Sequence, residues 1–207
     1  MARAAATQRS TRIQREKIEL VAEAALEVFS TYGFRGSTID QIADKAGMSK
    51  PNLLYYFDSK EAMHVFLLQR LMAMWIAPLR EIDDAGEPLE EIRRYIGRKL
   101  EMAREHPRES RLFANEILQG APHIQALLTG ELTQLVDDKV TVLKRWIDAG
   151  ELVACDPHHL IFSIWATTQH YADFDSQVRA VLGSDDEKRF EDARLFLETL
   201  FLRGLRP

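Results

Sequence analysis

A strip of side chains in the C-terminal half of the chain has the chemistry to bind a flat ring. Trp165 and Gln169 are four residues apart and share one face of a predicted helix, which Phe162 and Asp173 extend. An indole can stack on a ring, and a carboxamide can accept from a ring N–H while donating to a neighbouring carbonyl. Trp75, from another helix, would form a second wall. Judged by residue type alone, Trp75 and Trp165 are more typical of core residues than of a binding site, and Gln169 is more typical of a buried amide that bonds to the backbone.

The other histidines and carboxylates in this region do not predict a metal centre or an active site. His158 and His159 are adjacent, so their side chains point about 100° apart on a helix, and His170 lies turns away. Asp173 and Asp175 are typical of solvated charges at a helix end. The chain has no nucleophile elbow, phosphate loop or metal-binding helix motif. We therefore expect no catalytic residue, no metal and no cofactor, and an enzyme is not expected.

A second set of polar residues surrounds two short predicted helices near the N terminus. Thr38 and Gln41 form a capping-box pattern at the start of the first, which residues 46–48 end. Ser49 is a good N-cap for the second, with Pro51 in its first turn. Two short helices joined by a glycine-centred turn, behind a longer amphipathic helix, form the helix-turn-helix pattern.

The second short helix would be a recognition helix, whose first residues must be small or polar to reach base edges in the major groove. We expect Leu53 and Phe57 in the core and Tyr55 outward, near the DNA backbone. Lysines and a helix start can hold phosphates. The predicted DNA-contacting residues are Thr38, Ser49, Lys50, Pro51, Asn52, Tyr55 and Lys60.

Apolar residues recur at helical spacing along nearly the whole chain, which predicts an all-α protein. The first helix should end at Tyr32 and Gly33, and the third should run to about Phe57. Asp58 to Glu61 start a long helix that Pro78 begins to close. Further helices are predicted over 87–106, 108–119, 123–147, 157–182 and 186–203. The predicted organisation is a flexible basic arm (1–15), a three-helix helix-turn-helix domain (16–60) and a larger helical body (61–207).

The charge balance differs between the two regions. The 207 residues include 27 Lys and Arg against 32 Asp and Glu, a net charge of −5, which is unusual for a DNA-binding protein. The first 60 residues carry +2 and the remainder −7, so only the front is basic. The single Cys155 forms no internal disulfide, and no apolar run approaches the roughly 20 residues of a membrane span. We expect a cytoplasmic location.

Three segments identify the kind of protein more specifically than helical periodicity does. Residues 34–43 (FRGSTIDQIA), 46–50 (AGMSK) and 56–62 (YFDSKEA) resemble the DNA-binding domain of the TetR family of transcriptional repressors. The resemblance implies a homodimer on a pseudo-palindromic operator. It also implies that the body binds a ligand and that its last two helices form the dimer interface.

Further segments are similar to the RutR group of this family, the pyrimidine-utilisation regulators. They include residues 52–57 (NLLYYF), 75–79 (WIAPL), 110–113 (SRLF) and above all 156–174 (DPHHLIFSIWATTQHYADF). The resemblance implies uracil or thymine as effector, no cofactor, and Trp75, Trp165 and Gln169 as ligand contacts. Weaker candidates for the polar lining are Asp173, Asn115, Tyr171 and Glu116, the last being as typical of a solvated helix charge.

Two alternatives stay open at this point. One is the same architecture with a different small planar or apolar inducer. The other is an architectural DNA-binding protein that uses the fold without any ligand. In the favoured interpretation, the ligand binds better when the two DNA-reading domains are spread away from operator spacing, and so it lowers operator affinity.

Overall fold

The computed structural model describes residues 2–183 and 186–207, with side chains for 12–183 and 188–207. Most of the described residues are helical, and no strand occurs among them, which confirms the all-α prediction. The helices are α1 (Ala2–Gly36), α2 (Ile39–Lys45), α3 (Lys50–Leu54), α4 (Lys60–Arg80), α5 (Pro88–Glu105), α6 (Pro107–Leu118), α7 (Gln125–Leu127), α8 (Thr133–Asp148), α9 (Pro157–Asp173), α10 (Asp175–Leu182) and α11 (Asp186–Leu205).

The first three helices form the N-terminal head. Gly33 interrupts α1 with φ 69° and ψ 170°, which confirms the predicted break after Tyr32. The short turn beyond it leads into α2. Helix α1 begins at Ala2, but the side chains of residues 1–11 lie outside the part of the chain that the structure describes. The flexible basic arm over residues 1–15 therefore stays a prediction. Val21, Phe29, Ile42 and Leu53 are buried in the head's core.

Helix α4 leaves the head and runs into the body. It is capped by Ser59, whose hydroxyl accepts from the backbone N–H of Ala62 at 3.0 Å, and it ends two residues after Pro78, as predicted. By length and composition α4 is apolar enough to span a membrane, contrary to the sequence expectation, but 56% of its apolar window is buried inside the protein. Its apolar residues therefore build the core.

Three predicted helix boundaries were wrong. Helix α3 ends at Leu54, since a turn at Tyr55 and Tyr56 follows and lets Phe57 point inward. The predicted helix over 123–147 is divided into α7, a π-helical turn (Leu128–Leu132) and α8, with the Thr133 hydroxyl donating to the Leu128 carbonyl at 2.8 Å. The helix over 157–182 breaks at Phe174, which has non-helical φ −111° and ψ 29°.

In the body, α5 packs against α4, α9 and α11, and α6 packs against α1 and α9. This arrangement places one face of α5 and one face of α9 against each other, close to α4. Helices α10 and α11 leave a row of apolar side chains uncovered on the outside of the body. The exposed members of that row are Val181, Leu182, Leu195, Phe196 and Leu200.

Candidate nucleic-acid interface and ligand pocket

Hydrogen bonds at the helix start fix the geometry of α2 in the head. The Thr38 hydroxyl accepts from the backbone N–H of Gln41 at 3.2 Å, and the Gln41 side-chain oxygen accepts from the backbone N–H of Thr38 at 2.8 Å. This reciprocal pair is the predicted capping box. Thr38 is exposed, so its position at a helix N-terminus is open to an anion.

Helix α3 presents an exposed polar end. The Ser49 hydroxyl caps it by accepting from the backbone N–H of Asn52 at 3.4 Å, and Pro51 lies in its first turn. Ser49, Lys50, Pro51 and Asn52 are all exposed, and Tyr55, one turn on, is 76% exposed. Leu53 on the opposite side is buried, as predicted. The structure therefore brings five of the predicted DNA-contacting residues onto one accessible surface.

The two lysines predicted to contact phosphates have different surroundings. Lys50 is exposed and lies 3.0 Å from an Asp40 carboxylate oxygen, an exposed ion pair that a phosphate could replace at little cost. Lys60 is half-buried and donates to the backbone carbonyls of Phe34, at 2.7 Å, and Ser37, at 2.8 Å. Lys60 thus ties the start of α4 to the end of α1, a role that the sequence did not suggest.

The structure brings the predicted ligand residues of α9 against α5. The indole N–H of Trp165 donates to the hydroxyl of Tyr95, and one end of the strip is fixed by that bond. At the other end, the hydroxyl of Ser110 on α6 donates to Asp173. Gln169 is half-buried and lies midway between Trp165 and Asp173 on the same face of α9.

Trp75 reaches the same region from α4. It is buried, and the ammonium of Lys99 on α5 lies 5.2 Å from the centre of its ring. The indole N–H of Trp75 has no hydrogen-bond partner among the described residues. Buried donors are rarely left unpaired, so this N–H is available to an acceptor on a bound molecule. We call Trp75, Tyr95, Lys99, Trp165, Gln169 and Asp173 the aromatic cluster.

A buried pair of ionisable groups belongs to the aromatic cluster. Burial lowers the pKa of Lys99 to about 7, against the opposing attraction of the Asp173 carboxylate. Burial likewise raises the pKa of Asp173, although the Ser110 hydrogen bond and the Lys99 charge oppose that shift. The pair can therefore offer both a nitrogen donor and an oxygen acceptor to a polar ligand at neutral pH.

Sequence reasoning missed Tyr95, Lys99 and Ser110. Lys99 was detectable in principle, because it occupies a core position in the apolar stripe of α5, four residues after Tyr95 and three after Ile96. A lysine on a buried stripe is rare unless it has a partner or a function. Ser110 and Asp173 are 63 positions apart, and no local pattern connects them.

Other predicted lining residues lie elsewhere. Asn115 is exposed on α6, and Tyr171 packs against Phe190 of α11 with ring centres 6.1 Å apart. The interpretation of Glu116 as a solvated charge was wrong. Its carboxylate is buried and contacts His64 at 3.2 Å and His123 at 3.0 Å.

Comparison with protein families assigns nearly the whole chain. Residues 21–64 match the family described as bacterial regulatory proteins, tetR family. Residues 68–207 match the family described as YcdC-like protein, C-terminal region. The first match contains α2 and α3, and the second contains the aromatic cluster.

Individual relatives agree with these matches. The chain is 44% identical to the HTH-type transcriptional regulator RutR of Escherichia coli over 203 residues, which cover 97% of this chain and 96% of the relative. It is 27% identical to the HTH-type transcriptional repressor NicS of Pseudomonas putida, with 90% and 91% covered. These relatives are regulators that bind DNA, not enzymes.

Solved structures share the fold. The ketosteroid transcriptional regulator KstR2 of Mycobacterium tuberculosis aligns with a TM-score of 0.71 at 24% identity, covering 93% of this chain and 95% of that one. A TetR-like transcriptional regulator from Rhodococcus sp. RHA1 aligns with a TM-score of 0.68 at 23% identity, covering 91% and 94%. At this identity the likeness concerns the fold alone.

Proposed function

The chain belongs to the TetR family of bacterial transcriptional regulators, and from that premise we propose that it is a cytoplasmic repressor released from its operator by a flat pyrimidine, uracil or thymine. The single observation that carries the proposal is the unpartnered indole N–H of Trp75, buried beside Lys99 in the aromatic cluster. The sequence resemblance to the pyrimidine-utilisation regulators supports the choice of ligand.

The chemistry of the aromatic cluster suits a pyrimidine ring that carries two carbonyls and two N–H groups. Trp75 and Trp165 provide flat apolar surfaces. The carboxamide of Gln169 pairs with an adjacent N–H and carbonyl, because it both donates and accepts. The Trp75 N–H and the Lys99 nitrogen supply donors for the second carbonyl, and the Asp173 carboxylate can accept from the second N–H. Each polar group of the ring then has a partner of the right kind.

DNA binding is assigned to the head. We propose that each protomer of a homodimer places α3 in the major groove, at two half-sites one helical turn apart. Support for the dimer comes from the apolar row on α10 and α11, the last two helices, where Leu195 is 68% and Phe196 is 60% exposed. Large exposed apolar patches of this kind mark protein interfaces. Both halves of the operator are then read by the same side chains.

Helix α4 connects ligand and DNA. Its first residue, Lys60, holds the end of α1 through two carbonyls, and Trp75 lies fifteen residues further along, about 22 Å away along the helix axis. A ligand that shifts Trp75 therefore moves the helix that holds the head. By linkage, the factor by which the ligand weakens operator binding equals the factor by which operator weakens ligand binding.

Calorimetric titration of uracil and thymine into the purified dimer tests the ligand assignment. We expect Trp75→Phe, which keeps a ring and removes the N–H, to weaken binding roughly fivefold to tenfold, the worth of about one hydrogen bond. Trp146→Phe is the matched control, since Trp146 is equally buried but lies on α8. Equal affinities of the two variants, or no binding of either base, would overturn the assignment.

A further inference from the structure

A second polar cluster lies where the head meets the body, outside the aromatic cluster. His64 comes from the first turns of α4, Glu116 from the end of α6, and His123 from the loop between α6 and α7. One ligating atom from each lies within 4.8 Å of the other two. His64 Nε2 is 3.2 Å and His123 Nδ1 is 3.0 Å from the same carboxylate oxygen, Oε2 of Glu116. We call these three residues the junction cluster.

These separations are those of ligands around one small cation. A tetrahedral Zn²⁺ with bonds of about 2.0 to 2.2 Å holds neighbouring ligand atoms roughly 3.3 Å apart. Both distances to Glu116 are within a few tenths of an ångström of that value. Two imidazoles and one carboxylate are also a donor set that zinc favours, with the fourth position left to water. Binding would require small movements of side chains only.

The surroundings hold the three ligands in place. The ring of His64 packs against Phe29, at 5.0 Å between centres, and against Phe34, at 4.7 Å. Phe34 also packs on His123, at 4.9 Å. The second oxygen of Glu116 accepts from the backbone N–H of His123 at 2.7 Å, which orients the carboxylate in the way that outer contacts orient metal ligands.

Nδ1 of His64 is buried and has no hydrogen-bond partner among the described residues, so the ring is held in the junction cluster through Nε2 alone. Nε2, which faces Glu116, is therefore the nitrogen that would bind an ion.

We propose that His64, Glu116 and His123 bind one divalent transition-metal ion of the zinc class. The ion joins the start of α4, next to the head, to α6 and the loop that follows it in the body. His123 is the ligand that remains partly exposed, so the ion enters from that side. The proposal is independent of which molecule the aromatic cluster binds.

Calorimetric titration of ZnCl₂ into the full chain, prepared without a histidine tag, tests the site. We expect one Zn²⁺ per chain. His64→Phe and His123→Leu should each weaken zinc binding at least tenfold, because the loss even of a residue that only orients a ligand costs roughly 10- to 100-fold. His158→Ala is the control, since His158 is half-buried in the first turn of α9, beside the capping residue Asp156 and outside the junction cluster, and its removal should leave the affinity unchanged.

Melting curves without metal establish that the variants are folded. Folded His64→Phe or His123→Leu that bound zinc as tightly as the natural chain would overturn the proposal, and so would an absence of binding to the natural chain. Should both variants unfold, anomalous diffraction at the zinc edge from crystals of the natural chain decides. An ion within bonding distance of all three side chains supports the site, and an ion elsewhere refutes it.

Discussion

The buried lysine of the aromatic cluster makes stability depend on pH in a predictable direction. Lys99 has a pKa of about 7 in the folded chain and 10.5 when unfolded. Between these values the unfolded chain binds nearly one more proton, so the free energy of unfolding rises with pH. The destabilising effect of burying Lys99 is fully present below pH 7 and is relieved as pH approaches 10.5.

The size of the effect follows from the two pKa values. Each pH unit well inside the window changes the free energy of unfolding by about 1.4 kcal/mol, and the change is half as steep at pH 7 itself. From pH 7 to pH 9 the contribution of Lys99 therefore rises by about 2 kcal/mol. Lys99→Met lacks the titrating group, so its stability advantage over the natural chain should shrink by that amount over the same interval.

Urea unfolding at a fixed protomer concentration, at pH 7, 8 and 9, measures this difference. A fixed concentration is needed because dimer formation couples stability to concentration. Lys144→Met is the matched control, since Lys144 is exposed on α8. Parallel pH profiles of Lys99→Met and the natural chain would contradict a lowered pKa of Lys99, because Lys99 would then be ionised in the folded state as it is in water.

Three further predictions concern the head and the dimer. Thr38→Ala removes the capping box of α2 and should lower the free energy of unfolding by about 1 kcal/mol, measured by urea unfolding; an unchanged midpoint would contradict the cap's role. Lys50→Ala should make the slope of log K for operator binding against log salt concentration shallower by about 0.9, because Lys50 would no longer neutralise one phosphate. Fluorescence anisotropy at several salt concentrations measures this slope, and an unchanged slope would show that Lys50 holds no phosphate. Leu195→Glu should give monomers in sedimentation, whereas a persistent dimer would exclude α11 from the interface.

Local features of this chain were predictable because they depend on neighbours in sequence. The cap at Thr38, the cap at Ser49 and the break at Gly33 each rest on residues within a few positions, and each was confirmed. The outward position of Tyr55 was predicted as well, and its side chain is exposed. These signals were sufficient for the head and for the all-α class.

Features built from distant residues were not predictable in the same way. Glu116 is 52 positions from His64, so nothing in the local sequence distinguishes its buried carboxylate from a solvated one. The break at Phe174 and the π-helical turn lie in stretches whose apolar residues keep helical spacing, so periodicity did not reveal them. The aromatic strip of α9 could be read from spacing, but its partners on α5 required the fold.

In the proposed mechanism, a pyrimidine bound in the body weakens binding of the head to DNA. The direct measurement is the affinity of the dimer for an operator duplex, selected from a random pool, with and without saturating uracil or thymine. We expect weaker operator binding with one of these bases, and no change for a folded Trp165→Ala, Gln169→Ala double variant. If neither base altered the operator affinity of the natural dimer, the pyrimidine would not be the effector.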